Sequence, residues 1–200
     1  MGADALLIIT PYYNKANRTG LKAHFKAIAD AVNLPIILYN VPSRTGVNIA
    51  PDLVAELANE CENIVAIKEA SGDIAQVAEV ARLVPDDFAI YSGNDDSITP
   101  LLSLGGSGVI SVLANVCPRQ THDLVAKFLD GDVKGSRKIQ LELKALIDAL
   151  FTEVNPVPVK TAMNLLGMDV GSLRLPLGHM EAKNIDILKK ELKNAGLELK

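Results

Sequence analysis

The chain has 200 residues, of which 48% are hydrophobic and 22% charged, a composition that supports a buried core and excludes a disordered or fibrous chain. Its formal net charge is -4, and its 20 Lys and Arg residues are scattered, not striped, so neither a nucleic-acid footprint nor a basic membrane-binding face is expected. Two cysteines, Cys61 and Cys117, are too few for a disulfide framework and suit a reducing, cytoplasmic setting.

The N-terminal stretch MGADALLIITPYY has no basic leader, and its apolar run stops at Pro11. It reads as neither a signal peptide nor a membrane span. A chain that opens almost at once on a buried strand points to a lost preceding segment. Five short runs rich in branched residues follow in order: Leu6–Thr10, Ile36–Tyr39, Ile64–Lys68, Ala89–Ser92 and Val109–Ser111. None alternates with polar residues, as expected of strands buried on both faces of a parallel sheet. Helical patterns separate them at Leu21–Val32, Pro51–Glu60, Ile74–Leu83 and Ser97–Leu104, several opening on Pro or Asp. Beyond the fifth strand the pattern is helical only: Pro118–Leu129, Lys134–Phe151, Val159–Leu166 and Ala182–Ala195. The expectation is an α/β chain with a parallel sheet over residues 1–130 and a helical region over 131–200 packed on it.

In a barrel or a doubly wound sheet, function sits at the carboxyl ends of the strands. Lys68 and Glu69 arrive there after Ile64–Ile67, Tyr12 and Tyr13 after the first strand, Tyr39 and Asn40 after the second, and Ser92-Gly93-Asn94 after the fourth. A lysine at such an end either snorkels out to pair with Glu69 or is desolvated, so that a neutral amine can attack a ketone. The resulting Schiff base draws electrons from the adjacent carbon and makes it a nucleophile, with no metal or cofactor. Tyr39 is either a proton shuttle or the last aromatic of the core. Arg44, in the turn PSRTG, could face solvent or present a guanidinium to a carboxylate. His24, His122 and His179 are isolated and lack metal-ligand spacing. The glycines of LGGSGVIS precede a strand where a phosphate cradle would open a helix, so a tightly packed turn is the better reading. Asp95 and Asp96, ahead of a helix, read as capping residues.

PYYN at 11–14, YNVPSRTG at 39–46, IKEASGD at 67–73, SGND at 92–95, GGSGVIS at 105–111 and NPVPVK at 155–160 occur together and in order. With them the chain resembles, essentially end to end, the dihydrodipicolinate synthase family, pyruvate-dependent class I aldolases related to N-acetylneuraminate lyase. The arginine of YNVPSRTG favours the synthases over the neuraminate lyases. The resemblance implies a partial (β/α)8 barrel whose five strands are equivalent to strands 4–8, followed by C-terminal helices. It implies a lyase of lysine biosynthesis that condenses pyruvate with aspartate semialdehyde without a cofactor. Lys68 would then be the Schiff-base lysine and Tyr39 its general acid/base, while Tyr13 would complete a proton relay across a subunit interface. Arg44 would hold the semialdehyde carboxylate, and the backbone at Gly93 and Ile110 would line the pyruvate pocket. Tyr12 would be an interface residue close to a feedback site for lysine. The family's Gly-Thr-Thr-Gly loop, which binds the pyruvate carboxylate, has no counterpart here, since the sequence contains no Thr-Thr pair. The expectation is therefore an N-terminally truncated homologue with weak or no activity in the isolated chain, forming a homodimer or higher oligomer that covers the open barrel. A non-catalytic, oligomeric or partner-binding homologue is the alternative.

Overall fold

The structure, a computed structural model, describes residues 2–200. They form two compact units, one ending at Ile110 and one running from Ser111 to Lys200.

In the first unit five strands, β1 (Leu6–Ile9), β2 (Ile36–Asn40), β3 (Ile64–Glu69), β4 (Ala89–Ser92) and β5 (Gly108–Val109), lie in sequential order. Every pair is parallel. The intervening helices are α1 (Arg18–Ala31), the single turn α2 (Pro42–Thr45), α3 (Pro51–Glu60), α4 (Ile74–Leu83) and α5 (Ile98–Leu102). Their starts follow local chemistry. The Asn17 side chain accepts from the Gly20 amide at α1, and Asp73 accepts from the Ala75 and Gln76 amides at α4. Proline occupies the first turn of α2 and α3, where its missing N–H is not needed. Ile36, Leu38, Ile64, Ile67 and Ile90 of the sheet pack with Phe25, Leu53, Leu57, Val77 and Val80 of the helices in one core. This is a partial (β/α)8 barrel with five parallel strands.

Register positions the site. Tyr39, Lys68 and Tyr91 are direct neighbours across β2, β3 and β4, and Asn40, Glu69 and Ser92 form the next row. Side chains alternate along a strand, so the two rows lie on opposite faces. Glu69 hydrogen-bonds Gln76 of α4, which assigns its row to the helix-covered face and the Tyr39–Lys68–Tyr91 row to the barrel interior.

One sequence expectation needs correction in this unit. Asp95 and Asp96 are not the capping residues, which are Asn94 for the 3-10 turn Asp95–Ser97 and Ser97 for α5. The PSRTG turn is a helical turn, closed by a hydrogen bond from the Gly46 amide to the Pro42 carbonyl. The glycine-rich segment is the tight turn expected: a Cβ on Gly106 would meet Leu101 Cδ2 at 2.1 Å.

The second unit holds α6 (Pro118–Leu129), α7 (Val133–Glu142), α8 (Lys144–Leu150), α9 (Val157–Leu165) and α10 (Ala182–Asn194). Leu113, Leu146, Leu150, Ala162, Leu188 and Leu192 lie at its core. The single helix expected over Lys134–Phe151 is two, parted at Leu143. No helix among the described residues is long and apolar enough to cross a membrane.

Candidate active site

Lys68 is half-buried in the middle of the interior row, and its Nζ lies 4.3 Å from the centroid of the Tyr39 ring. Burial pulls the ammonium below the ordinary lysine range, while the charge of Asp95 opposes that pull. Contact with the ring face also favours the charged form, by about 0.5–2 kcal/mol in general. Desolvation is the largest influence, so the net direction is downward and the neutral amine is enriched. Lys68 takes part in none of the ion pairs among the described residues. Pairing with Glu69 is excluded by strand alternation, because that carboxylate faces the helices.

Tyr39 shows the complementary perturbation. Burial raises its phenol, and the Arg44 guanidinium offsets part of the rise. A raised phenol stays protonated near neutrality and can donate a proton. Arg44 is exposed on α2 and has no carboxylate partner among the described residues, which leaves its guanidinium open to an external anion.

Gly93 follows β4 and abuts the end of β3. A Cβ there would sit 2.5 Å from Ala70 Cβ, and the Gly93 amide donates to the Glu69 carbonyl at 2.7 Å. The Ile110 amide likewise donates to the Ser92 carbonyl at 2.9 Å. Both N–H groups are thus committed to the sheet, and these residues can line a pocket but offer no free amide to a carboxylate. Tyr12 and Tyr13 stand apart from the Lys68 row, 66% and 92% exposed. Tyr13 holds a left-handed backbone (φ 72°), and its hydroxyl has no hydrogen-bond partner among the described residues.

The structure therefore brings Lys68, Tyr39 and Arg44 into one electrostatic group, sets Gly93 and Ile110 at neighbouring strand ends, and leaves Tyr12 and Tyr13 outward. The sequence reading missed Asp95, which is 2% exposed and acts on Lys68. Its signal was its place three residues past the end of β4. Asn40 and Glu69 were legible as strand-end residues, but not as a buried row behind the site. Among the described residues no group of three or more His, Cys, Asp or Glu is placed to hold a metal ion.

Residues 1–195 match the dihydrodipicolinate synthetase family. The chain belongs to that family. It is 60% identical over 197 residues to a 4-hydroxy-tetrahydrodipicolinate synthase of Acetivibrio thermocellus, covering 98% of this chain and 66% of that relative. The solved dihydrodipicolinate synthase of Thermotoga maritima aligns with a TM-score of 0.97 and 44% identity over 98% of this chain and 68% of its own. The chloride-inhibited enzyme of Acinetobacter baumannii, solved with pyruvate, aligns with a TM-score of 0.95 and 41% identity over 98% and 67%. The chain thus spans about two thirds of the length of these dihydrodipicolinate synthetase family members.

Proposed function

We propose that this chain carries the pyruvate-capturing centre of a lyase that condenses pyruvate with aspartate semialdehyde in lysine biosynthesis. The observation that carries the reading is Lys68: an unpaired amine, desolvated, set against the Tyr39 ring on the interior face. The neutral amine adds to the keto carbon of pyruvate. Tyr39 donates a proton to the departing oxygen as water leaves, giving a protonated Schiff base. Loss of a methyl proton then yields an enamine, whose carbon attacks the aldehyde while Arg44 holds the semialdehyde carboxylate. Gly93 and Ile110 shape the pocket. The family membership and the pyruvate complex of the Acinetobacter relative support the choice of first substrate.

Turnover by this chain alone is weak or absent in this reading. The hydroxyls of Tyr39 and Tyr13 have no hydrogen-bond partner among the described residues, so no relay connects them. Losing one preorganised oxyanion donor costs roughly 3–4 kcal/mol of transition-state stabilisation, and the Gly93 and Ile110 amides are already committed. A homo-oligomer in which Tyr12 and Tyr13 enter a second copy covers the exposed aromatic pair.

Borohydride reduction in the presence of pyruvate, read by intact mass and peptide mapping, tests the assignment. A pyruvyl adduct confined to Lys68 is expected, formed with an apparent pKa below the ~10.4 of a free lysine. A folded chain that gains no adduct would overturn the enzymatic reading in favour of a non-catalytic oligomeric homologue.

A further inference from the structure

Directly behind the Tyr39–Lys68 row, four polar side chains from four segments close a hydrogen-bonded ring. Asn40, last of β2, donates from Nδ2 to Asn48 Oδ1 (2.8 Å) and to Glu69 Oε2 (3.0 Å). Gln76, in the first turn of α4, donates from Nε2 to Asn48 Oδ1 (3.0 Å) and to Glu69 Oε2 (3.2 Å). Asn48 returns a hydrogen bond from Nδ2 to Gln76 Oε1 at 2.7 Å. Glu69, 2% exposed, also accepts the Ser71 amide at Oε1, 2.6 Å away. A buried carboxylate ringed by amides is a costly alternative to apolar packing, and its best-attested use is to fix one geometry among several.

What this ring fixes is the loop bearing Arg44. Asn40 precedes the loop and Asn48 ends it, and the two are bonded to each other. Asn40 Oδ1 also accepts the Ile49 amide at 3.0 Å, so one side chain holds both ends of the loop. Within it, buried Thr45 accepts the Val47 amide and sits within hydrogen-bonding distance of the Val41 carbonyl. The Arg44 amide donates to the Val41 carbonyl at 3.0 Å, but its guanidinium has no hydrogen bond or ion pair among the described residues. We propose that Asn48 and Gln76, acting through Asn40 and Glu69, are positioning residues that hold the 41–48 loop so that Arg44 stays within electrostatic reach of Tyr39, ready for the carboxylate of the second substrate. The inference rests on the carboxylate-holding reading of Arg44.

The test uses the whole chain and the variants Asn48→Ala, Gln76→Ala, Asn48→Asp and Arg44→Ala. Tyr39 is one of only four tyrosines, so its phenol can be followed by NMR in ring-labelled protein, with Tyr39→Phe as the assignment control. The charged neighbours acting on it are Lys68 from β3 and Arg44 from α2. Arg44→Ala raises the Tyr39 titration midpoint. Asn48→Ala and Gln76→Ala reproduce that rise, and exchange of the Val47 and Ile49 amides quickens at least tenfold. Asn48→Asp, which keeps the acceptor oxygen but loses the Nδ2 donor to Gln76 and sets a second carboxylate beside Glu69, does not restore the wild-type value. Asn48→Ala still gains a pyruvyl adduct at Lys68. A Tyr39 midpoint unmoved by Asn48→Ala and Gln76→Ala, or unmoved by Arg44→Ala, overturns the proposal. So does global unfolding of both ring variants, which would make the ring a stability element only. A wild-type chain that traps no pyruvate defeats the Schiff-base reading, whereas the Tyr39 titration still decides the positioning.

Discussion

Lys68 lives in a compromise between solvation and chemistry. Its folded-state pKa is depressed by burial, so the unfolded chain binds more protons between that depressed value and the free value of ~10.4. Stability therefore rises with pH through that interval, and below it the full penalty for burying the ammonium is present. Lys68→Met removes the penalty. The variant should have a higher urea midpoint than the wild type at pH 7, with the gap closing as the pH climbs through the interval; equal midpoints at pH 7 would show that the ammonium is well solvated. Thr10 illustrates a different residue-scale cost. It follows β1, is fully buried, and its Oγ1 has no hydrogen-bond partner among the described residues. An orphaned buried hydroxyl costs on the order of 1–3 kcal/mol, so Thr10→Val should stabilise the chain by about 1 kcal/mol in a denaturant titration. No gain would mean that the hydroxyl is satisfied in solution.

At the level of elements, α1 and α4 of the first unit are started by single side chains, and α1 and α3 are aligned by charges. Asp73 caps α4 through two amides at 2.9 and 3.2 Å, and Gln76, a member of the ring behind the site, stands on that same turn. Asp73→Ala should cost about 1 kcal/mol of stability in chemical denaturation. A loss near zero would show that β3 and the ring hold the turn without its cap. Between α1 and α3, Arg18, Lys22 and Lys26 interleave with Asp52, Glu56 and Glu60. These pairs are exposed and salt-screened, so they orient the two helices more than they stabilise them. The sequence shows α3, α4 and α6 at their observed limits because Pro51, Asp73 and Pro118 mark the starts unambiguously. The break between α7 and α8 leaves no such mark. Leu143 is apolar and buried, continues the helical period, and departs from helix only slightly in its backbone (φ −89°, ψ −3°). The site divides in the same way. Lys68 and Tyr39 are readable because each is chemically conspicuous at a strand end, and Arg44 because it is a lone cation in the PSRTG turn that follows β2. The buried row of Glu69 and Asn40 is not, since only strand register shows that they turn away from Lys68 and meet residues distant in sequence.

On the scale of the whole molecule, the β1–β5 sheet presents two end strands, each with one neighbour among the described residues, and Leu7 and Val65 are 43% and 39% exposed. Edges and apolar surface of this kind favour association. Sedimentation equilibrium should find a homodimer or larger species, and Tyr13→Ala should shift it toward monomer; a wild-type chain that stays monomeric at high concentration would remove the oligomer from the proposal.

The two cysteines acquire a use from where they fall. Cys61 is buried in the core of the first unit, and Cys117 is fully buried in that of the second, its thiol pushed up to about 11. At pH 8 the Cys117 thiol is ionised in only about one molecule in a thousand, and both cysteines are buried, Cys61 at 7% and Cys117 at 0% exposure. Each thiol therefore becomes reactive only when its own surroundings open. The chain carries a natural clock in each half, and the order in which the two are alkylated would tell which half comes apart first.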